Sequence, residues 1–356
     1  MGTGGALGGS GITTMADQMT KTLAEMGHQP VRLVSGDRRR ERPNRLNLEN
    51  VLAVLSEAAS VGRAARSQRV GLVWLHTFGV PTLPAIRTLV QVLAVRGVGR
   101  PIIVQLHAYA LAGQLASGSR LLRTVIWLLG RLSRSVVVLQ EADAEELRRR
   151  VDPDKVAILA NWVDVPDEPT PLPPVPPVVA VFVGGLVERK GVPQLLDAMR
   201  LLEDVPMVLH LVGSAGEDGD AAAAALRASV ADLEADGRVV FMGQLERPAV
   251  RAELAAAHLL VLPSRAEGMP MAVLEALAEG RPVLVSNVGE MAALVREHRC
   301  GVVIASQDAR AIAESLSAAV SDLPRLAEQG RRGHQTCVNH FSPAAAAHQL
   351  GHLLTS

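Results

Sequence analysis

The sequence predicts an α/β protein built on parallel sheets and divided into two halves. Three observations carry this. First, short apolar runs alternate with helix-like patterns along the whole chain; such alternation is the signature of strands joined by crossover helices. The runs are 31–34, 70–75, 101–106, 135–139 and 156–159, then 178–183, 207–212, 238–242, 259–262, 282–285 and 301–304. They are continuous, as expected of strands covered on both faces. Second, 356 residues exceed the ~250–300 at which a single core stops growing, and a 48% hydrophobic content can fill two. Third, residues 164–177 (Asp-Val-Pro-Asp-Glu-Pro-Thr-Pro-Leu-Pro-Pro-Val-Pro-Pro) can join neither ladder nor helix, so they form a stiff linker.

Several function classes are disfavoured by composition. Formal net charge is zero, so bulk electrostatics give no reason to expect nucleic acid as a partner. The two cysteines, Cys300 and Cys337, form no metal or redox motif, which suits a reducing compartment. No signal peptide and no apolar run near ~18 residues is visible, and a cytoplasmic location is expected.

The N-terminal half opens on a glycine-rich loop, Gly4–Ser10, before a helix over 12–26. Glycine lets backbone N–H groups approach an anion, and a helix N-terminus favours one, so Gly9 and Ser10 are candidate ligand contacts. His107 follows the run ending at Leu106, where ligands bind in open parallel sheets. His76 holds the equivalent place one run earlier, with a structural role at least as expected. Residues 119–134 mix Arg120, Arg123, Arg131 and Arg134 with Leu, Ile and Trp127. This pattern is read first as a helix packed on the sheet; a basic amphipathic helix also leaves room for peripheral contact with an anionic membrane.

The C-terminal half carries the denser chemistry. In Val181-Phe-Val-Gly-Gly-Leu-Val-Glu-Arg-Lys-Gly-Val-Pro, a buried strand runs into Gly184 and Gly185, then into Arg189, Lys190 and a helix. Arginine can grip phosphate in two places and lysine adds a point charge. Residues 264–286 place Glu267 and Glu275 with seven residues between them, around a Gly-Met-Pro turn and the start of a helix near Met269 and Pro270. Carboxylates suit hydroxyls, whereas the helix start and basic loop suit phosphate. A ligand both polyhydroxylated and phosphorylated, such as a sugar nucleotide, satisfies all of them.

The 264–286 stretch resembles the E-x7-E motif of the retaining glycosyltransferases of the GT-B fold, family 4 (glycosyl transferases group 1). The lead-in 259–265 and exit 280–289 resemble that family too, as do Arg189-Lys190-Gly191, Gly4–Ser10 and His107. The resemblance implies two doubly wound, Rossmann-like domains facing across a cleft. It divides the chain into an acceptor-side domain (1–165), the linker (166–177), a nucleotide-sugar domain (178–340) and a helix crossing back (341–356). It implies sugar transfer from a nucleotide diphosphate to a glycan, lipid-linked or small-molecule acceptor, as in polysaccharide biosynthesis. The catalytic group would be Glu267, His107, Arg189 and Lys190. Donor contacts would come from Gly184, Gly185, Arg189, Lys190, Met269, Pro270, Glu275, Gly9 and Ser10. No cofactor and no metal are expected: Asp152-Pro-Asp154 reads as a turn and Asp218-Gly-Asp220 as a helix cap.

Two departures from the family pattern stand out. A hydrophobic strand should precede the glycine loop, and none does, so the natural start is expected upstream of Met1 or the chain is truncated. In Asn161-Trp-Val-Asp164, Trp162 replaces the family's usual Gly, losing its freedom at φ > 0. The competing readings are an inactive partner subunit of the same fold and a sugar-nucleotide epimerase, which would need a further acid/base constellation.

Overall fold

The structure, a computed structural model, describes residues 11–33, 48–67, 70–78, 80, 82–108, 111–174, 177–214 and 219–355. By internal contacts these fall into two compact units. One gathers residues from Met15 to Ala160 with those from Ala346; the other is built on Asn161 to Ala345.

In the first unit, α1 (Gly11–Glu25) and α2 (Leu48–Ser67) precede β1 (Val73–Thr77) and α3 (Thr82–Gly97). Next come β2 (Ile102–Leu106), α4 (Leu111–Ser117), α5 (Arg120–Leu132), β3 (Ser135–Val138), α6 (Glu141–Arg148) and β4 (Val156–Ile158). The four strands are parallel, in the order β1-β2-β3-β4. Every residue of β2 and β3 is buried, which explains their mostly apolar sequence, in which only Gln105 and Ser135 are polar. Val92 and Val95 of α3 and Ile126 and Leu129 of α5 share one apolar cluster with Val104 and Leu106 of β2.

The strand expected at 31–34 is corrected. Residues 31–33 join no strand, and Val31 and Leu33 are exposed. An apolar run becomes a strand only where a neighbour takes its N–H and C=O groups. Here β1 pairs directly with β2, and Arg32 instead meets Asp17 on α1. Helix α5 is capped by Ser119, whose Oγ accepts from Leu122 N at 3.1 Å. It is a packed helix, with Leu122, Val125, Ile126 and Leu129 buried. Leu121 and Trp127 stay exposed, and the Arg131 guanidinium lies 5.7 Å from the Trp127 ring. No helix among the described residues is long and apolar enough to cross a membrane.

The second unit contains β5 (Val178–Val183), α7 (Val192–Arg200), β6 (Met207–Val212), α8 (Gly219–Ala228), α9 (Ala231–Ala235), β7 (Val239–Gly243) and α10 (Arg247–Ala256). These are followed by β8 (Leu259–Leu262), α11 (Met271–Ala278), β9 (Val283–Ser286), α12 (Gly289–His298), β10 (Gly301–Ile304), α13 (Ala309–Val320) and α14 (Leu323–His340). Six parallel strands run in the order β10-β9-β8-β5-β6-β7. The chain winds outward from β5 in one direction, then restarts at β8 in the other. The gap between the C-terminal ends of β5 and β8 is therefore the topological switch point, where doubly wound sheets bind ligands.

The proline-rich segment lies against this unit. The guanidinium of Arg281 is fully buried and donates to Thr170 O at 2.7 Å and Pro171 O at 3.0 Å. Burial pulls its pKa down to about 10, with Glu279 opposing the shift. The ring of His334 on α14 meets Pro166 O at 2.8 Å. The last helix, α15 (Pro343–Thr355), buries Ala346, Leu350 and Leu353; from Ala346 on it belongs to the first unit, within which Leu354 O accepts from Arg134 at 3.1 Å.

Gly213, just after β6, has φ 145°, and a Cβ there would stand 1.8 Å from Gly184 O. Gly213→Ala therefore combines left-handed strain with a backbone collision. It should lower unfolding free energy by about 2–6 kcal/mol, from ~1–3 for the strain and ~1–3 for overpacking. Chemical denaturation of wild type and variant checks this.

Candidate active site

The switch point is lined by two loops that the sequence places 77 residues apart. The first leaves β5 through Gly184 and Gly185. Gly184 has φ 154° and donates its N–H to Val212 O at 2.9 Å, tying the loop to the end of β6. After Leu186 and Val187 the chain makes one tight turn over 188–190 and reaches Gly191 at φ 75°. A Cβ on Gly191 would lie 2.2 Å from Pro263 O, so only glycine lets α7 start against the end of β8.

The second loop leaves β8 and passes through Ser264 to Pro270. Arg265 N donates to Arg189 O at 2.8 Å, stitching the two loops backbone to backbone. On that seam lie the charged groups. Lys190 Nζ forms an ion pair with Glu267 Oε1. Arg189 donates to Ala266 O at 2.7 Å, and its guanidinium lies 3.9 Å from the same Glu267 oxygen. The side chains of Lys190 and Glu267 are 16% and 8% exposed, so this pair is largely removed from water; Arg189, at 41%, still presents its fork to solvent. Gly289, at the start of α12, has φ 55°, and a Cβ there would approach Glu267 O to 2.7 Å, so the acidic loop is pressed from behind as well.

Met269 and Pro270 stand at the entry to α11. Pro270 is the cap residue, and no side chain caps this helix. Its first-turn amides are thus the kind of orphan donors that suit an anion. Asn161 fixes the approach by donating from Nδ2 to Met269 O at 2.7 Å. One turn on, Glu275 is 13% exposed and faces Arg247 at 3.4 Å. Burial raises its carboxyl pKa above the ordinary value, and Arg247 opposes that shift.

Seven predicted positions, Gly184, Gly185, Arg189, Lys190, Glu267, Met269 and Pro270, thus lie on two stitched loops, with Glu275 on the helix they lead into. Gly9 and Ser10 lie outside the described residues. Asn161, Gly213, Gly289 and Arg247 support the site and were not among the predicted site residues. Trp162, expected to cost backbone freedom, needs none: its φ is not positive and its side chain is buried.

His107 belongs to the other unit, just past β2, and donates its backbone N–H to Thr77 O at 2.7 Å. Its Nε2 lies 3.0 Å from Nδ1 of His76, the penultimate residue of β1. Burial pushes His107 down to about 3, helped by charge on His76, and pushes His76 down to about 4, helped by Arg32. Both rings are neutral near pH 7, with one proton shared along the N···N contact. Asp152 accepts from Asp154 N at 3.2 Å, a turn as expected; Asp218 of the second acidic triplet lies outside the described residues. No group of three or more His, Cys, Asp or Glu able to hold a metal occurs among the described residues.

The sequence model of glycosyl transferases group 1 matches residues 167–336, which hold this whole constellation, and that of Glycosyltransferase Family 4 matches residues 9–166. The chain belongs to the group 1 glycosyltransferases. Among curated group 1 relatives, the alpha-maltose-1-phosphate synthase of Mycolicibacterium smegmatis is 31% identical over 222 residues, covering 56% of this chain and 56% of its own. The lipopolysaccharide core biosynthesis glycosyltransferase LpsE of Rhizobium meliloti is 32% identical over 178 residues, 50% of each. The chain thus spans about half the length of these relatives. Among solved structures, Anabaena Alr3699/HepE, crystallised with UDP and glucose, superposes with a TM-score of 0.74 at 18% identity, covering 99% of this chain and 98% of that one. Sucrose-phosphate synthase of Thermosynechococcus elongatus gives 0.76 at 20% identity, covering 97% and 93%. These likenesses, with the two parallel sheets, establish the GT-B class of two Rossmann-like domains.

The histidine pair gives a signed prediction. Both folded-state pKa values lie below the ordinary 6.5. The unfolded chain therefore binds protons first, and stability present above pH 6.5 is lost as pH falls towards 4. Thermal unfolding across pH 4–8 should show this loss, and His76→Gln/His107→Gln should make it smaller.

Proposed function

We propose that this group 1 glycosyltransferase moves a sugar from a nucleotide-diphosphate sugar to a glycan, lipid-linked or small-molecule acceptor, with retention of configuration and without a metal ion. The observation that carries the reading is the desolvated Lys190–Glu267 pair beside the solvent-facing Arg189, at the switch point and next to an uncapped helix start.

In this reading Arg189 and Lys190 take the diphosphate. They stabilise the charge that accumulates there as the bond to the sugar breaks, a transition-state effect that fixed donors supply without reorganisation. The amides at Met271 and Ala272 add the helix N-terminus. Glu267 turns its carboxylate to the donor sugar hydroxyls once the diphosphate shares Lys190. Glu275 holds ribose hydroxyls. Its burial beside Arg247 suits a group that binds by hydrogen bonds rather than by full charge. His107, neutral near pH 7 and oriented by His76, is assigned to the donor sugar. No side chain among these is posed as a covalent nucleophile, which agrees with attack by the acceptor on the leaving group's own face. The cation pair does the work that a metal does in other transferases. A cytoplasmic location fits such a donor. The exposed Leu121 and Trp127 beside Arg123 and Arg131 support contact of α5 with an anionic membrane face, where a lipid-linked acceptor would sit.

Turnover of UDP-, GDP-, ADP- and dTDP-sugars, with and without EDTA, tests this. UDP-sugars come first, because HepE holds UDP and glucose. One donor should be consumed at a rate indifferent to EDTA. Lys190→Ala and Glu267→Ala should each lower that rate by about 10²–10³, the usual cost of one preorganised electrostatic contact. Nucleotide binding with no turnover of any donor would overturn the reading, and loss of turnover with EDTA would overturn its metal independence.

A further inference from the structure

A second cationic site lies on the same unit, at the far edge of its sheet. Strand β10 is the edge strand. Beside it, the end of α12 and the first turns of α14 border an open pocket of about 460 Å³, within the ~300–1,000 Å³ typical of small-molecule sites. Four arginines line it: Arg296 and Arg299 from the α12 end, Arg325 and Arg332 from α14. The one acid in the lining, Glu328, is already engaged by Arg332 at 3.0 Å and by Arg331. Arg296 is held by Asn287 Oδ1 at 2.9 Å. Arg299 and Arg325 have no side-chain hydrogen bond or ion pair among the described residues. In a chain of zero net charge, the wall of this cavity carries a clear positive excess.

Both unpaired arginines sit where local rules disfavour them. Arg299 closes α12 in the left-handed region, at φ 51° and ψ 40°, the one non-glycine residue with positive φ among the described residues. Glycine is the usual occupant of such a helix end. Arg325 lies in the first turn of α14, where the helix dipole repels a cation. Two local conflicts without a compensating contact are expected where side chains are kept for a ligand.

We propose that this cavity is an anion site that takes a phosphate ester or diphosphate of a small molecule, separate from the Arg189–Lys190 cradle, with which it shares no residue. Guanidinium groups approaching from two elements match the tetrahedral oxygens of a phosphoryl group, each able to make paired N–H···O bonds. The opening over the strand edge leaves room for the organic part. The phosphate can belong to a free metabolite or to a lipid headgroup.

The test uses the full chain with inorganic pyrophosphate as the free probe and phosphatidic acid vesicles, against phosphatidylcholine vesicles, as the lipid probe. Calorimetry and co-sedimentation read binding. Arg189→Ala/Lys190→Ala removes the other phosphate cradle. Arg299→Gly/Arg325→Gln alters the proposed site, and Arg299→Gly relieves a strained backbone, so the variant should unfold no earlier than wild type. Pyrophosphate binding that survives the first pair and weakens about tenfold or more in the second establishes the site for a free phosphate. Binding confined to phosphatidic acid vesicles, with the same dependence on Arg299 and Arg325, assigns it to a headgroup. Binding of neither probe, binding lost with Arg189 and Lys190, or binding indifferent to Arg299 and Arg325 overturns the proposal.

Discussion

A lysine from the loop after β5 and a carboxylate from the loop after β8 neutralise one another where water is largely excluded, and the arrangement around them follows from that. Each charge alone would be costly to bury. Held together, Lys190 and Glu267 fix two loops that are 77 residues apart in the chain. The backbone contact of Arg265 N with Arg189 O runs beside them, and the Arg189 side chain, which donates to Ala266 O, stays partly exposed. The Lys190–Glu267 pair is neutral within itself, and Arg189 leaves the site with one net positive charge. Lys190 adds its own charge toward a ligand only when something else takes up the glutamate, as sugar hydroxyls can.

The backbone makes this pairing possible. Gly191 and Gly213 occupy positive-φ positions where a Cβ would strike a carbonyl oxygen of a neighbouring loop, and Gly289 does the same behind Glu267. These contacts draw the ends of β5, β6 and β8 and the start of α12 close around the switch point. The doubly wound order of the sheet creates that point, and the glycines let the loops close on it.

Much of this was legible in the sequence because its signals are local. Ten of the eleven apolar runs become strands, since buried parallel strands need continuous apolar sequence. The run 31–34 misled because hydrophobicity alone does not supply a pairing partner. Arg189, Lys190, Glu267 and Glu275 were found from their immediate neighbours and spacing. Their electrostatics were not: the Lys190–Glu267 pair and the facing of Glu275 by Arg247 depend on contacts 77 and 28 residues apart. In the sequence Asn161 is only the residue before Trp162, and the fold alone turns its amide to Met269 O. Gly213 follows β6 as an ordinary strand-end glycine, and its necessity comes from Gly184 across the sheet. Arg299 sits in an unremarkable stretch, His-Arg-Cys-Gly, and becomes informative through its dihedral angle alone.

The central claim is that Glu267 serves as the resting counter-ion of the lysine that a diphosphate must share. The direct measurement is the affinity of wild type and Glu267→Gln for the nucleoside diphosphate that lacks the sugar, at one fixed ionic strength. Removing the carboxylate while keeping its shape frees Lys190, so the account predicts tighter binding in the variant, by about tenfold for ~1.4 kcal/mol. Equal or weaker binding would contradict it, because Glu267 would then hold the site open for the diphosphate rather than compete with it.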